Sequence, residues 1–294
     1  MMTTLLIQAL VTGLILGALY GLIGCSLTII YGTMRIVNFS HGEFVVAGCF
    51  AVLMFFTATG LHPLLSIPLV FVAFFLVGMC LYYLFVPRLN RGDDPEVASF
   101  LTFYGVSLMA GAILLYFFQA DTRSLNYVFT PSVYKIGHVF IPTAHIVALA
   151  TGVAIIAALT WFLYRTIYGK ALRAAIMNRD AIQIVGVNIN TLSALAFGLA
   201  IAIAASTGVL LALVFPAFGP FSGMDYTLVG FVVIVLGGLG HPIGAIIGGI
   251  VFGIAEQVAI VFLPQSLSQA VGFIILIAAI TLRPSGLFGK VALR

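Results

Sequence analysis

Read from its first residue, the chain alternates long apolar runs with short polar interruptions. Nine apolar segments can be marked off, at 5–31, 44–60, 63–86, 97–118, 143–164, 191–214, 226–240, 243–262 and 266–282. Most reach the roughly 17 to 25 residues that a helix needs to cross a bilayer. The runs are continuous rather than alternating at every second residue, which excludes a membrane β-barrel. The pattern predicts an all-α polytopic membrane protein with about nine (eight to ten) spans, some of them broken or short. The seventh run is short and ends in Leu-Gly-Gly-Leu-Gly, and the ninth is only marginally long enough. Either suits a tilted, broken or re-entrant element, which is tolerated where protein rather than lipid surrounds it. The opening MMTTLLIQALVTG lacks a basic region and runs straight into apolar sequence, so it reads as a first span rather than a cleaved signal peptide.

Composition supports this. Of 294 residues, 63% are hydrophobic and only 7% charged. A soluble domain needs roughly a quarter of its residues charged, so lipid must solvate most of this surface. The net charge of +4 is too sparse for nucleic acid and reads as a topology signal. With the N-terminus outside, the inner side receives Arg35, Arg88, Arg91, Arg165, Lys170, Arg173, Arg179, Arg283, Lys290 and Arg294, and the outer side only Arg123 and Lys135. That bias predicts an external N-terminus and a cytoplasmic C-terminus. Three polar stretches remain: an inner turn at 87–96, an aromatic-rich outer loop at 119–142, and a substantial inner loop at 165–190. Residues 1–294 read as a single transmembrane domain, with 165–190 a cytoplasmic loop or helix within it.

Glycine placement predicts helix packing. Gly13, Gly17 and Gly21 make one small stripe, while Gly244 with Gly248 and Gly249 with Gly253 make two adjacent lines on the eighth segment. The polar patch at 31–44, YGTMRIVNFSHGEF, carries Asn38, Ser40, His41 and Glu43 between two apolar spans. Ser40 followed by Glu43 has the spacing of a capping box and marks a helix start after a non-helical break. The patch is either an ordinary inner turn or a polar break that reaches into a transport path. Glu256 lies inside the eighth segment, where a lone carboxylate must face protein, water or a partner. It suits a proton or solute site, a structural hydrogen-bond centre, or an outer vestibule. Asp225 reads as a helix-start residue at the outer end of the seventh segment.

The inner loop predicts one short amphipathic helix over 169–190 with Arg173, Arg179 and Asp180 exposed. Ala171, Ala174 and Ala175 would form a small face for a partner groove. The same helix could instead lie passively on head groups. Gly169-Lys170 and Gly289-Lys290 are not followed by Ser or Thr, so neither makes a phosphate-binding loop. If ATP drives this protein, another chain binds it. His41, His62, His138, His145 and His241 are scattered, and no catalytic pairing or metal spacing emerges. Cys25, Cys49 and Cys80 all sit in apolar runs and read as buried thiols.

Residues 21–48, GLIGCSLTIIYGTMRIVNFSHGEFVVAG, closely resemble the permeases of bacterial branched-chain amino-acid ABC importers. The family pattern is matched by Tyr31, Gly32, Asn38, Phe39, His41, Gly42 and Glu43, with Ser40 replacing the usual Ala. The inner loop resembles the coupling core of binding-protein-dependent importers. Asp180, Ala181 and Gly186 match it and Ile182 departs. Residues 237–256 and 282–289 resemble the same family. The resemblance is to the shorter of its two permeases. It implies an inner-membrane importer with a homologous second permease, paired as a heterodimer. It also implies two cytoplasmic ATPases holding ATP and magnesium, an extracytoplasmic solute-binding protein, and no cofactor on this chain. It implies branched-chain amino acids as cargo, while related permeases carry urea, short amides or aromatic acids. Physics alone also admits an ion-coupled secondary transporter using Glu43 and Glu256.

Overall fold

The computed structural model describes residues 2–89, 94–137, 139–282 and 286–288. Arg91, His138, Arg283, Lys290 and Arg294, and the Asp180 side chain, lie outside the described residues. Each of the nine apolar runs forms a helix: α1 (Met2–Met34), α2 (His41–Thr59), α3 (Ser66–Leu89), α4 (Pro95–Phe118), α5 (Thr143–Arg165), α8 (Ile189–Val214), α9 (Gly223–Gly237), α10 (Pro242–Phe262) and α11 (Gln265–Leu282). Two short helices, α6 (Ile167–Met177) and α7 (Arg179–Ile184), lie between α5 and α8. Among the described residues, eight helical stretches are long and apolar enough to cross a membrane, and α11 adds a shorter apolar stretch at 270–279. The fold is that of an all-α polytopic membrane protein. The connection between α4 and α5 departs from pure helix, because β1 (Val133–Ile136) and β2 (Val139–Pro142) pair as an antiparallel hairpin.

The buried centre is α8, with α1 beside it. Around them, α3, α4 and α5 turn Leu69, Leu76, Leu101, Met109 and Trp161 outward, as helices solvated by lipid do. Cys25 and Cys49 are buried, but Cys80 is exposed on that outer face of α3. An apolar neighbourhood in sequence does not distinguish a lipid-facing thiol from a core one.

The glycine lines separate onto two partners. A Cβ at Gly17 would lie 2.7 Å from the Ile250 Cα, and one at Gly13 equally close to the Ile254 Cα. From the other side, Cβ atoms at Gly249 and Gly253 would overlap the backbone at Gly21 and Gly17. Gly244 and Gly248 face Gly237 of α9 instead. One line of α10 therefore seats α1, and the other seats α9.

Contacts also sort the connections by side. The Gln8 side chain donates to the Phe140 carbonyl at 2.7 Å and accepts from its N–H at 3.0 Å, tying the start of α1 to the hairpin. At the other end of α1, Ile176 of α6 sits against Gly32, and also near Gly240 between α9 and α10. Leu287 N–H donates to the Leu236 carbonyl, so residues 286–288 return to that same end.

Candidate functional site

The polar patch after α1 does not stay at the membrane boundary. Arg35 turns the chain with φ 56°, and residues 35–40 are non-helical. Val37 N–H donates to Ser99 Oγ at 3.1 Å, and Ser107 Oγ donates to Glu43 Oε1 at 3.2 Å. Ser99 and Ser107 both belong to α4, eight residues apart, which is about 12 Å of helix rise. The connection therefore climbs alongside α4, and Glu43 stands level with its middle.

A second connection descends to meet it. After α8, the Phe218 ring packs 5.3 Å from Phe50, which stacks at 4.1 Å on Phe118, the last residue of α4. Gly223, at the start of α9, then lies directly against the Glu43 carboxyl, where a side chain would overlap it. Gly42 N–H donates to Thr227 Oγ1 at 2.9 Å, and that hydroxyl donates to the Phe39 carbonyl at 3.2 Å. Two helices thus begin near mid-depth, side by side. Their N-terminal dipole ends converge on one carboxylate. This also explains the brevity of α9. Its 15 residues span roughly 22 Å, and the descending connection supplies the rest of the crossing. Asp225, in the first turn of α9, accordingly starts a helix near mid-depth rather than at the outer boundary.

The spacing of a capping box is present but the box is not formed. Ser40 makes no side-chain cap hydrogen bond. Its hydroxyl and its N–H both bond to Asn38 Oδ1, at 2.7 and 3.1 Å. Glu43 Oε1 takes Ser107 instead of reaching back. The local pair loses because α4 offers Glu43 a donor at depth while Asn38 reaches Ser40 first. His41 Nε2 lies 2.9 Å from Ser26 Oγ, whose proton goes to the Ile23 carbonyl. His41 must therefore donate through Nε2, leaving Nδ1 as a free acceptor.

Asn38, Ser40 and His41 are fully buried, and Glu43 is 7% exposed. Among the described residues, Asn38 Nδ2, His41 Nδ1 and Glu43 Oε2 are buried without a partner. Such orphaned atoms mark places where water or a passing solute completes the bonding. Phe39 lines the same connection, against Phe100, Tyr104 and Phe231.

Glu256 is placed elsewhere. It lines a cavity of about 260 Å³ between α1, α9, α10 and α11, with Tyr20, Asp225, Tyr226, Phe252 and Phe273. Gly223 and Thr227, four residues apart, face α2, whereas Asp225 points to the opposite side of α9. The structure thus separates Glu43 from Glu256 by the width of a helix. Tyr20 and Tyr226 were not singled out from sequence, since a tyrosine within an apolar run looks like ordinary core.

The connection between α5 and α8 holds two helices rather than the one expected. Asn178 is extended (φ −156°, ψ 104°) and its Oδ1 accepts the Ala181 N–H at 3.0 Å, which stops α6 and starts α7. Arg173 is not on the outer face. Its Nε donates to the Leu163 carbonyl at 3.0 Å and its guanidinium covers the Tyr164 ring at 4.1 Å. Ala175 is buried at 3% exposure, while Ala174 and Ala181 are exposed. The small face is therefore divided, with Ala175 seating α6 on the protein and Ala174 free. Arg179 is half-buried. Gly186 adopts φ 83° after α7, a conformation that favours glycine. Large apolar side chains stand on the surface left exposed here, beside exposed Lys170, Asn178 and Gln183: Ile167, Met177, Ile184 and Val185 are each about 80% exposed or more.

A family model described as branched-chain amino acid transport system / permease component matches residues 9–280. The high-affinity branched-chain amino acid transport system permease protein BraD of Pseudomonas aeruginosa is 27% identical over 297 residues, covering 97% of this chain and 96% of the relative. The corresponding LivH proteins of Escherichia coli K12 and Salmonella typhimurium are 27% and 26% identical at the same coverage. The match extends across the helix break, the α1–α10 seam and the α6–α7 loop alike. This is a multi-pass inner-membrane permease subunit of an ABC importer and not an enzyme, and the chain belongs to the family of branched-chain amino acid transport system permease components.

Proposed function

We propose that the chain is the shorter permease of a heteromeric importer for branched-chain amino acids. It pairs with a homologous permease, two cytoplasmic ATPases that hold ATP and magnesium, and an extracytoplasmic solute-binding protein. The observation that carries the transport path is the meeting of two non-helical connections at Glu43, near mid-depth and with unpartnered polar atoms. A solute crossing there exchanges water for Asn38, His41 and Glu43, while Ser40 holds Asn38 in place. The aromatic and aliphatic surroundings suit a hydrophobic side chain. Glu256, across α9, lines a separate vestibule.

Uptake of labelled leucine by the reconstituted importer tests this. Glu43→Gln keeps the shape but removes the charge, and a charge-assisted hydrogen bond is worth about 1.5–3 kcal/mol. Uptake is expected to fall about tenfold or more, with assembly and ATPase binding unchanged. Unchanged uptake would place the path elsewhere. Competition by urea, short amides or aromatic acids in the same assay distinguishes the cargo alternatives.

The orientation follows from charge. Nine spans, with the α1 start and the hairpin outside and the α6–α7 loop and C-terminus cytoplasmic, leave most cations inside. In a Cys80→Ser background, Ala174→Cys should react with membrane-impermeant maleimide only in inverted vesicles. Labelling from the outside of sealed cells would reverse the topology. On this reading α6 and α7 form the ATPase coupling segment. Ala174, Ala181 and the Gly186 turn shape its surface, while Arg173, Ala175 and Ile176 anchor it to the membrane helices.

A further inference from the structure

A second cavity, of about 190 Å³, lies where α5 ends and α6 folds back, closed on its other sides by α1 and the start of α10. Its walls are mostly aliphatic, from Leu159, Leu163, Ile243 and Ile246, with Arg173 and His241 also on the lining. Leu159 stands six residues before the end of α5. The apolar part therefore reaches about 9 Å into the membrane from the level where α6 begins. A cavity greasy at depth and cationic at its mouth has the polarity of a phospholipid with a charged head group.

The charge is arranged for an anion. Arg173 Nε is committed to the Leu163 carbonyl and the guanidinium carbon sits 4.1 Å over the Tyr164 ring. These two contacts hold the guanidinium in position and leave the two terminal nitrogens, which have no carboxylate within 4 Å among the described side chains. A fixed guanidinium edge suits a phosphate oxygen pair. His241 Nδ1 accepts the Gly244 N–H at 3.4 Å, so its proton sits on Nε2 and adds a donor to the lining. From Arg165 to Arg179 the sequence adds Lys170 and Arg173 and contains no Asp or Glu. Arg173 does not occupy the exposed surface of α6–α7, so the coupling role proposed for that loop does not use its charge.

We propose that this cavity binds one anionic phospholipid, with the phosphate against Arg173 and an acyl chain along Leu159, Leu163, Ile243 and Ile246. The lipid fills the angle between α5, α6 and α10 and fastens α6 to those helices. Only the membrane position of α5 is needed for this, so the site stands whether or not α6–α7 docks ATPases. The shared chemistry is a phosphate with a net negative charge, and the source to which the site is assigned is lipid, because the cavity continues as aliphatic wall beyond the reach of a free ion.

The test is native mass spectrometry of the full chain, purified with the subunits that accompany it from its own membrane and then delipidated. Phosphatidylglycerol and phosphatidylcholine of equal chain length are offered separately, followed by glycerol phosphate and inorganic phosphate. Phosphatidylglycerol should be retained at least tenfold better than phosphatidylcholine, and Arg173→Gln should abolish the preference. Ile243→Trp fills the apolar seat without touching the charge and should reduce retention similarly. It decides the matter if Arg173→Gln fails to assemble. Equal retention by the wild type and the assembled variants would overturn the site. Glycerol phosphate or inorganic phosphate binding as tightly as the lipid would overturn the lipid assignment.

Discussion

Gly249→Leu is expected to remove most folded permease from the membrane. In the seam between α1 and α10, a Cβ at residue 249 overlaps the Gly21 backbone, and Gly253, Gly17 and Gly13 continue the contact over neighbouring turns. Overpacking typically costs about 1–3 kcal/mol where surrounding side chains can yield. Here the obstacle is main chain, so the helices must separate, and dispersion contacts along several turns are lost together. Without water to drive apolar association in the bilayer, such close contact is a principal source of helix adhesion. Fluorescence-detected size-exclusion chromatography of detergent extracts should show loss of the monodisperse peak, with Gly249→Ala intermediate. Gly105→Ala on α4 is the matched control. Nothing lies within 4 Å of a Cβ there, and replacing a helical glycine relieves about 1 kcal/mol of propensity cost. Its peak and thermal stability should be unchanged or improved. A normal peak for Gly249→Leu would mean that α1 and α10 do not touch through their backbones.

The same glycines show what was legible in the sequence. Spacing of four residues fixes a common helix face, so Gly13, Gly17 and Gly21 could be grouped as a packing surface, and so could each pair on α10. That one pair seats α1 and the other α9 depends on tertiary placement, which spacing does not encode. The break between α1 and α2 was legible for a similar reason: four polar side chains interrupt two apolar runs. Its depth was not. A hydropathy profile registers that the chain leaves the apolar pattern, but not that residues 35–43 climb back along α4 from Ser99 to Ser107. Asp225 was misplaced by the mirror image of this error. Residues 215–222 are apolar enough to descend unnoticed, and the helix start they deliver lies below the boundary. The capping box failed because a local pairing competed with a distant donor, Ser107. In the inner loop, periodicity gave an amphipathic helix but could not tell which small residue faced the protein. Ala174 and Ala175 are neighbours in sequence and opposite in exposure.

That last distinction determines how coupling should be tested. A tryptophan at Ala175 would strike the interior and disturb α6 itself, so its failure would say nothing about a partner. The residues to change are Ile184 and Val185, 88% and 79% exposed where α7 ends before the Gly186 turn. On the proposed topology these large aliphatic side chains stand in the aqueous phase beside the membrane, where they invite a covering surface. Burying each in an ATPase groove would contribute about 1.5–3 kcal/mol, or roughly ten- to a hundredfold in affinity. The double variant Ile184→Asp, Val185→Asp removes both contributions and adds two charges that would have to be desolvated. Neither substitution touches the membrane core, so the permease should accumulate at normal levels and still pair with its relative. The ATPases should be lost from the purified complex, and solute-stimulated ATP hydrolysis should disappear. Ile184→Leu, Val185→Ile keeps the apolar surface and should retain both. Motion then has a defined route: α6 is held to α5 through Arg173 and Leu163, and to α1 and the α9–α10 turn through Ile176 beside Gly32 and Gly240. On the proposed coupling role, a push on α7 would reach the α6-side ends of the helices that carry the break at Glu43, as a rigid-body displacement. If the aspartate pair leaves the ATPases bound and stimulated, the ridge is an uncovered surface and coupling enters the membrane helices elsewhere.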